Sequence, residues 1–239
     1  MEKTKKIKIF IALFYLALVC LFLYLFFSNF TLEEIMSYDF IKNNRDYFSE
    51  LKQSNLLLLA TLFIIFTIVW VFAAGFASPL AIFSGFVFGK WLGLLFLLFG
   101  MTIGATALYI FANYFLKEII KEKFIKKFQN LENKFKKSEF IYLLIYRFIG
   151  GVPFAISNVL PCIFNVKVSN FFWATFLGLA PQLFLVVSIG NGLEKIIEKN
   201  LEPPHLFDLI KDENIYIPLI AFFSLIILTF ILKKVFYKN

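Results

Sequence analysis

Arg147 is the residue whose chemistry fits its surroundings least. It stands in an otherwise apolar stretch, and residues 147–165 add a glycine pair, two prolines and the polar side chains of Ser157 and Asn158. A guanidinium can donate two parallel hydrogen bonds to a phosphate or carboxylate. A charge within a membrane segment costs at least about 2.5 kcal/mol, so it usually faces a partner or a cavity. Arg147 therefore binds an anionic group, or it extends to the membrane interface or pairs with a backbone carbonyl that braces the local structure.

Helix-breaking residues follow the arginine directly. Gly150 and Gly151 each cost about 1 kcal/mol relative to Ala in a helix, and Pro153 costs about 3 kcal/mol. Broken backbone survives at membrane depth only where it is buried in protein or lines a wet cavity. We therefore expect residues 147–165 to form a re-entrant hairpin, in which two half-helices meet between Gly150 and Pro153.

Composition defines the environment of this hairpin. The chain has 239 residues, of which 60% are hydrophobic and 17% are charged. Apolar runs of about 20 residues recur along it, which is the length a helix needs to cross a bilayer. We expect an all-α polytopic membrane protein with about five to six transmembrane helices. Its predicted parts are a first span and polar interfacial segment (1–54), a core (55–192), and a polar loop with the last span (193–239).

A second set of helix breakers lies within residues 55–115. This length accommodates either three spans or two spans and a hairpin. Breaks at Pro79 and from Gly85 to Gly89 leave a segment too short to cross a bilayer, so we favour two spans and a hairpin. Ser78 is a further polar residue at the first break.

A weak internal repeat supports two matched hairpins. A shift of 74 residues aligns Pro79 and Gly104 with Pro153 and Gly178. A single span between two hairpins makes them enter from opposite faces, which is the inverted-repeat arrangement that places a site near the midplane. The residues expected to break or pack these helices are Pro79, Gly85, Gly89, Gly150, Gly151, Pro153, Phe154, Gly178, Pro181 and Gly190.

The net charge of +8 comes from lysines beside apolar spans, which indicates topology signals and anionic lipid rather than nucleic acid. In residues 116–137, apolar positions at helical spacing are surrounded by lysines, as in a basic amphipathic helix. This helix either recruits anionic headgroups or is a connector whose lysines orient the chain.

The direction of the chain through the membrane stays open at this level. Charge bias places residues 116–137 and the basic C-terminus inside, and the acidic loop near residue 200 outside. If the predicted membrane crossings are counted from these segments back to the start of the chain, the basic N-terminus lies outside. This contradicts the positive-inside rule. Either the N-terminus breaks the rule, or residues 55–115 cross once more or once less than expected.

Helix breakers and polar residues follow one another in a characteristic order over roughly residues 70–192. They are Pro79, Gly85, Phe88, Gly89, Arg147, Pro153, Phe154, Asn158, Gly178, Pro181 and Gly190. This order resembles the VTT-domain family, the SNARE-associated, DedA-like superfamily, and more closely its Tvp/TMEM branch. The resemblance implies two facing re-entrant hairpins, with Arg147 as the hairpin arginine. It also implies lipid scrambling or flipping of lipid carriers, or proton-dependent transport as in some bacterial members.

One departure from the family bears on proton coupling. Proton-coupled DedA members carry an acidic residue in the first hairpin, whereas this chain has no carboxylate between Leu56 and Lys117. A proton relay through the membrane needs titratable groups. The sequence therefore favours transport without proton coupling.

We expect a lipid scramblase or flippase-like transporter that moves phospholipid or a phosphorylated lipid carrier through a groove between the hairpins. Candidate ligands of the headgroup are Arg147, Asn158, Ser157 and Ser78. The alternatives are a small-solute or ion transporter and a membrane scaffold in envelope homeostasis.

Enzymatic function is not favoured. The single histidine lies in a polar loop and the two cysteines lack ligand spacing, so we assign no catalytic residue, metal or cofactor. The expected partners are membrane lipids and, in a homo-oligomer, further copies of the chain. The expected location is the bacterial cytoplasmic (inner) membrane.

Overall fold

The computed structural model describes residues 2–29, 38–73, 77–118, 120, 138–149, 152–198, 216–220, 222–224 and 227. Within them lie α1 (Glu2–Asn29), α2 (Tyr38–Phe72), α3 (Ala77–Phe111), α4 (Glu139–Ile149), α5 (Phe154–Val159) and α6 (Val168–Glu198). A π-helical turn, Ala112–Leu116, continues α3, and a 3₁₀ turn, Leu160–Phe164, continues α5.

The prediction of an all-α polytopic membrane protein is confirmed. The residues described above contain no strand, and four helical segments among them are long and apolar enough to cross a membrane. These segments are Ile7–Ser28, Lys42–Phe72, Ala77–Leu116 and Val168–Lys195. The predicted last span, residues 215–232, lies mostly outside the described residues, as do most of the basic segment 116–137 and the acidic loop near residue 200.

A single asparagine divides α2 into a polar and an apolar part. Asn55 departs from helical geometry (φ −157°, ψ 80°), and its Oδ1 accepts a hydrogen bond from the backbone N–H of Leu58 at 3.0 Å. This is the geometry of an N-cap, which satisfies one of the free N–H groups at a helix start. The cap therefore separates residues 38–54 from the apolar span that ends at Phe72.

The long helix α3 reverses direction at Gly89. Its φ of 78° and ψ of −179° lie in a region that essentially only glycine adopts. A Cβ placed on Gly93 would lie 2.5 Å from the carbonyl oxygen of Ser84, although nine residues of continuous helix span about 13.5 Å. Helix α3 is therefore a hairpin with a first arm, 77–88, and a second arm, 90–111.

The second arm runs parallel to α2 through contacts between small residues. A Cβ on Gly100 would lie 2.7 Å from Thr67 Cβ, and one on Gly104 would lie 2.8 Å from the carbonyl oxygen of Ile68. Only glycine allows two helices to approach this closely. Residues 55–115 thus contain two apolar spans and one intervening half-helix, as the sequence favoured.

The second hairpin consists of α4 and α5, and its first arm is longer than expected. The arm begins at Glu139 rather than at Arg147 and ends at Ile149, and α5 begins at Phe154. Gly150 and Gly151 lie outside the described residues. Helix α6 continues to Glu198, beyond the predicted end of the core at residue 192.

The two halves of the chain repeat one packing contact. A Cβ on Gly104 would lie 2.9 Å from Cβ of Val71, and a Cβ on Gly178 would lie 2.5 Å from Cβ of Arg147. In each half the same glycine also meets the carbonyl oxygen three residues earlier on the facing helix. The aligned pair of glycines therefore occupies equivalent positions, and Arg147 stands where the first half has a valine.

Contacts between polar side chains show which parts of the chain lie at the same end of the helices. Lys8 lies 3.5 Å from Glu118, so α1 begins at the membrane side where the second arm of α3 ends. At this same end, Lys117 donates to Asn165 at 2.8 Å, and Glu139 accepts from the backbone N–H of Lys167 at 3.0 Å. The basic N-terminus and the start of the basic segment therefore share one side.

The core forms where α6 packs against both arms of α3. The first arm crosses α6 at Gly85 and Gly190, where a Cβ on either glycine would overlap the opposite backbone. On the second arm, the ring of Tyr109 stacks on Phe171 with centroids 4.4 Å apart, and its hydroxyl donates to the carbonyl of Val166. Tyr109 and Phe171 are fully buried, so this contact secures α6 against α3 near the end that carries Lys117.

Candidate functional site

Arg147 is buried among polar groups from three helices. Its side chain is only 3% exposed. Its Nε donates to Oγ1 of Thr175 on α6 at 3.2 Å, and its Nη1 donates to Oγ of Ser157 on α5 at 2.6 Å. The hydroxyl of Ser157 in turn donates to the carbonyl of Phe154 at 2.7 Å. These contacts hold the guanidinium at one position and orientation.

Two aromatic rings flank the guanidinium. Its Cζ lies 5.1 Å from the ring centroid of Phe171 and 5.8 Å from that of Phe154. A cation over an aromatic face gains about 0.5 to 2 kcal/mol, and the larger value applies where the cation is desolvated. The rings thus stabilise the charge without neutralising it.

The charge of Arg147 has no partner of opposite sign within the described part of the chain. No Asp or Glu there forms an ion pair with it, and its Nη2 is buried without a hydrogen-bond acceptor. A buried charge without a counterion is strongly unfavourable. The arrangement is therefore suited to an external anion that accepts from Nη2.

A cavity of about 150 Å³ lies beside the guanidinium. Its polar lining comes from Tyr146, Arg147, Ser157 and Gln182, and apolar side chains of α3 and α6 complete the wall. The Nε2 of Gln182 donates to the carbonyl of Arg147 at 2.5 Å, which secures the end of α4 to α6. The hydroxyl oxygen of Tyr146 is also buried without a partner among the described residues.

The first residue of α3 reaches the same cavity. Ala77 lines it, at the start of the first arm. Helix starts expose free N–H groups and a partial positive charge. Together with Arg147 this gives the cavity a positive potential, which favours an anion.

The predicted ligands separate into two groups. Arg147 and Ser157 lie together at the cavity. Asn158 is completely buried in α5 with neither amide atom bonded within the described residues, and it does not line this cavity. Ser78 is exposed and also lies outside the lining.

Most of the residues predicted to break or pack helices lie at breaks or close contacts. Gly89 lies at the reversal of α3, Gly85 and Gly190 at a helix crossing, and Gly178 against Arg147. The remaining ones are Pro79 in the first turn of α3, Pro153 directly before α5, Phe154 beneath the guanidinium, and Pro181 inside α6.

Sequence reasoning missed Thr175, Gln182 and Tyr146. A usable signal existed, because Thr175 and Gln182 lie three residues before and four residues after Gly178. Residues at these spacings share one face of a helix. Gly178 was predicted to pack against another helix. The helix face that contains Gly178 therefore also indicates which polar residues, Thr175 and Gln182, meet the facing helix.

The described residues contain no group of three His, Cys, Asp or Glu side chains that could hold a metal ion. The groups at the cavity are a cation, hydroxyls, an amide and a helix start. The cation, the hydroxyls, the amide and the N–H groups of a helix start can each donate a hydrogen bond to an anion.

Taken together, the helical hairpins and their buried arginine define a polytopic helical membrane protein. Residues 76–192 match the VTT domain. The resemblance stated from the sequence is therefore confirmed.

Similar proteins support this match. The chain is 30% identical over 136 residues to a "Transmembrane protein 41 homolog" of Caenorhabditis elegans, covering 54% of this chain and 55% of that protein. It is 25% identical over 173 residues to the protein of the same name from Dictyostelium discoideum, covering 71% and 51%. It is 28% identical over 113 residues to "Uncharacterized protein YqeD" of Bacillus subtilis, covering 46% and 54%. The chain spans about half the length of these curated relatives, and no solved structure matches it.

Proposed function

We propose that this protein moves phospholipid, or a phosphorylated lipid carrier, across the membrane as a scramblase or flippase-like transporter. In this proposal Arg147 holds the phosphate of the headgroup while the acyl chains stay in the bilayer. The observation that carries the proposal is the buried guanidinium, which faces a cavity and has an Nη2 without an acceptor in the described chain.

The size of the cavity supports a phosphate group as the bound part. A volume of about 150 Å³ is several times the roughly 30 Å³ that one water molecule occupies in the liquid, but below the roughly 300 Å³ at which drug-sized ligand pockets begin. A headgroup phosphate fits such a space, whereas a whole lipid does not. Nη2 of Arg147 supplies a donor without an acceptor in the described chain, and the start of α3 at Ala77 lines the same cavity.

The charge distribution supports movement without proton coupling. No carboxylate occurs between Leu56 and Lys117, and Arg147 has no carboxylate partner in the described part of the chain. A single uncompensated cation is neutralised by the single negative charge of a phosphodiester. The lipid gradient alone then drives net movement.

We also propose that the end carrying Lys8 and Lys117 faces the cytoplasm of a bacterial cell. The supporting observations are the lysines at this end, which follow the positive-inside rule, and a relative from Bacillus subtilis. Residues 116–137 would then meet the anionic lipids of the inner leaflet.

The test is lipid scrambling in proteoliposomes that contain fluorescent phospholipid, followed by dithionite bleaching. We expect the unmodified protein to expose inner-leaflet lipid without a proton gradient. Arg147→Gln should slow scrambling about tenfold or more, because a hydrogen bond to a charged group contributes about 1.5 to 3 kcal/mol. Arg147→Lys retains the charge but loses the planar guanidinium, so its scrambling rate should lie between those of the unmodified protein and Arg147→Gln.

Thermal unfolding separates transport from a bracing role. Removal of a buried uncompensated charge can leave stability unchanged or raise it. We therefore expect Arg147→Gln to unfold at or above the temperature of the unmodified protein while its scrambling falls. If the unmodified protein leaves inner-leaflet lipid protected from dithionite, with and without a proton gradient, bulk scrambling is excluded. Uptake of inorganic phosphate in that case would favour the small-solute transporter instead.

A further inference from the structure

A second polar cavity lies at the opposite end of the first arm of α3. It encloses about 130 Å³ between residues 38–54 of α2, the reversal at Gly89 and the end of α6. Ala77 lines the Arg147 cavity and Gly89 lines this one, so the twelve helical residues from 77 to 88 separate the two by about 18 Å. The polar residues of the second lining are Arg45, Ser49, Lys52, Asn191 and Glu194.

Long-range contacts assemble this cavity. Nη2 of Arg45 lies 3.3 Å from Oε1 of Glu194, which joins residues 38–54 to the end of α6. The ring of Phe48 packs edge-on against Phe83 of the first arm, with centroids 5.1 Å apart. The polar part of α2 is thereby held over the hairpin reversal by one ion pair and one aromatic contact.

The reversal itself leaves room for a ligand. Gly89 has no side chain, and a Cβ placed there would lie 3.6 Å from Oδ1 of Asn191. Asn191 lines the cavity next to Gly89, and its side-chain NH₂ group is a donor that a bound anion can use beside the two cations.

The charges of the lining amount to a single positive charge. Arg45 and Lys52 each contribute +1 and Glu194 contributes −1, and no other charged side chain lines the cavity among the described residues. Asp46 lies 3.7 Å from Arg45, but its side chain is 91% exposed and does not line the cavity. A phosphodiester carries one negative charge and matches this balance.

We infer that this cavity binds the phosphodiester headgroup of a phospholipid in the leaflet at this end of the protein. Lys52 contacts the phosphate, Arg45 and Asn191 complete the donors, and Glu194 offsets one of the two positive charges. The cavity lies at the polar end of the apolar span of α2, because its lining residues on α2 precede Asn55, where that span begins. This binding does not require that the protein transports lipid.

Calorimetric titration of the purified protein in maltoside detergent tests the assignment, with dihexanoyl phosphatidylglycerol as the probe. This lipid has a phosphodiester and no ammonium group. Lys52→Met should weaken binding about tenfold, since a charge-assisted hydrogen bond is lost. Lys42→Met is the matched control, because Lys42 lies on the same helix, is exposed and does not line the cavity. Equal affinities for the two variants would overturn the assignment.

A second variant tests whether misfolding explains the weaker binding expected of Lys52→Met. Glu194→Gln raises the net charge of the lining from +1 to +2, and we expect it to bind the probe several times more tightly. Loss of structure cannot produce opposite changes in Lys52→Met and Glu194→Gln. Unchanged or weaker binding by Glu194→Gln would contradict the charge argument.

Three further titrations distinguish a headgroup site from a free-phosphate site and from the Arg147 cavity. Inorganic phosphate and glycerophosphoglycerol should bind at least tenfold more weakly than the lipid, and equal affinity for inorganic phosphate would make this a free-phosphate site instead. Arg147→Gln should bind the probe at this cavity as the unmodified protein does. Binding that disappears with Arg147→Gln would assign it to the Arg147 cavity and overturn the inference.

Discussion

Gly178→Ala tests whether the packing of α4 on α6 determines the position of Arg147. The new Cβ would lie 2.5 Å from Cβ of Arg147 and 3.0 Å from the carbonyl oxygen of Leu144. Carbon atoms in contact rest about 3.5 to 4.0 Å apart, so the two helices must separate by about 1 Å. The bond from Nε of Arg147 to Thr175, now 3.2 Å, then exceeds hydrogen-bonding distance.

The expected change in stability is small because two effects oppose each other. Overpacking costs about 1 to 3 kcal/mol, and replacing Gly by Ala in a helix gains up to about 1 kcal/mol. The net cost of about 0 to 2 kcal/mol lowers Tm by up to about 8 °C in a chain of this size. The larger expected effect is on scrambling, because the guanidinium is displaced from the cavity.

Gly104→Ala is the matched control. Its Cβ would lie 2.9 Å from Val71, the repeat-related partner, and 2.8 Å from the carbonyl oxygen of Ile68. We expect the two variants to lose similar Tm in detergent, while only Gly178→Ala scrambles lipid more slowly in proteoliposomes. If Gly104→Ala loses as much transport as Gly178→Ala, the position of Arg147 is not the cause and the reasoning fails.

Three further outcomes follow from the geometry. Thr175→Val leaves Nε of Arg147 without an acceptor at nearly unchanged side-chain volume, so the free energy of unfolding should fall by about 1 to 3 kcal/mol. A thermal unfolding scan equal to that of the unmodified protein would contradict this. Gly89→Ala forces a side chain into the positive-φ reversal, which should cost about 1 to 3 kcal/mol in the same scan, and unaltered stability would show that α3 does not need the glycine conformation. In a background with Cys20 and Cys162 replaced by serine, an impermeant maleimide applied to sealed vesicles should label Lys8→Cys and Lys117→Cys from the cytoplasmic side and Lys52→Cys from the opposite side. If Lys8→Cys and Lys117→Cys were labelled from opposite sides, the two residues would not lie at the same end of the protein.

Some of the site was predictable from residue type alone. Arg147 in an apolar stretch required a polar environment whatever the fold, because burial of a charge is costly in any arrangement. Ser157 was predicted as part of the same site, and its hydroxyl accepts from Nη1 at 2.6 Å. Thr175 lies 28 residues further along the chain, and only the parallel packing of α4 on α6 brings it to the guanidinium.

Asn158 and Ser78 show the limit of such reasoning. Both are polar residues near a helix break, and residue type gives no indication of which way a short helix turns its face. The structure turns Ser157 towards Arg147 and leaves the neighbouring Asn158 outside the cavity lining. Adjacent residues of a helix point about 100° apart, so one rotation of α5 decides which of the two reaches the site.

The sequence by itself determined that the chain is helical, spans a membrane and breaks at its glycines and prolines, because these properties depend on local composition and backbone chemistry. It did not determine that α3 folds back at Gly89 or that α1 begins beside Glu118. Those features depend on contacts between residues far apart in the chain, such as Gly93 with Ser84 and Lys8 with Glu118. Only the tertiary structure decided them, because close helix packing selects among backbone paths that local chemistry leaves equally accessible.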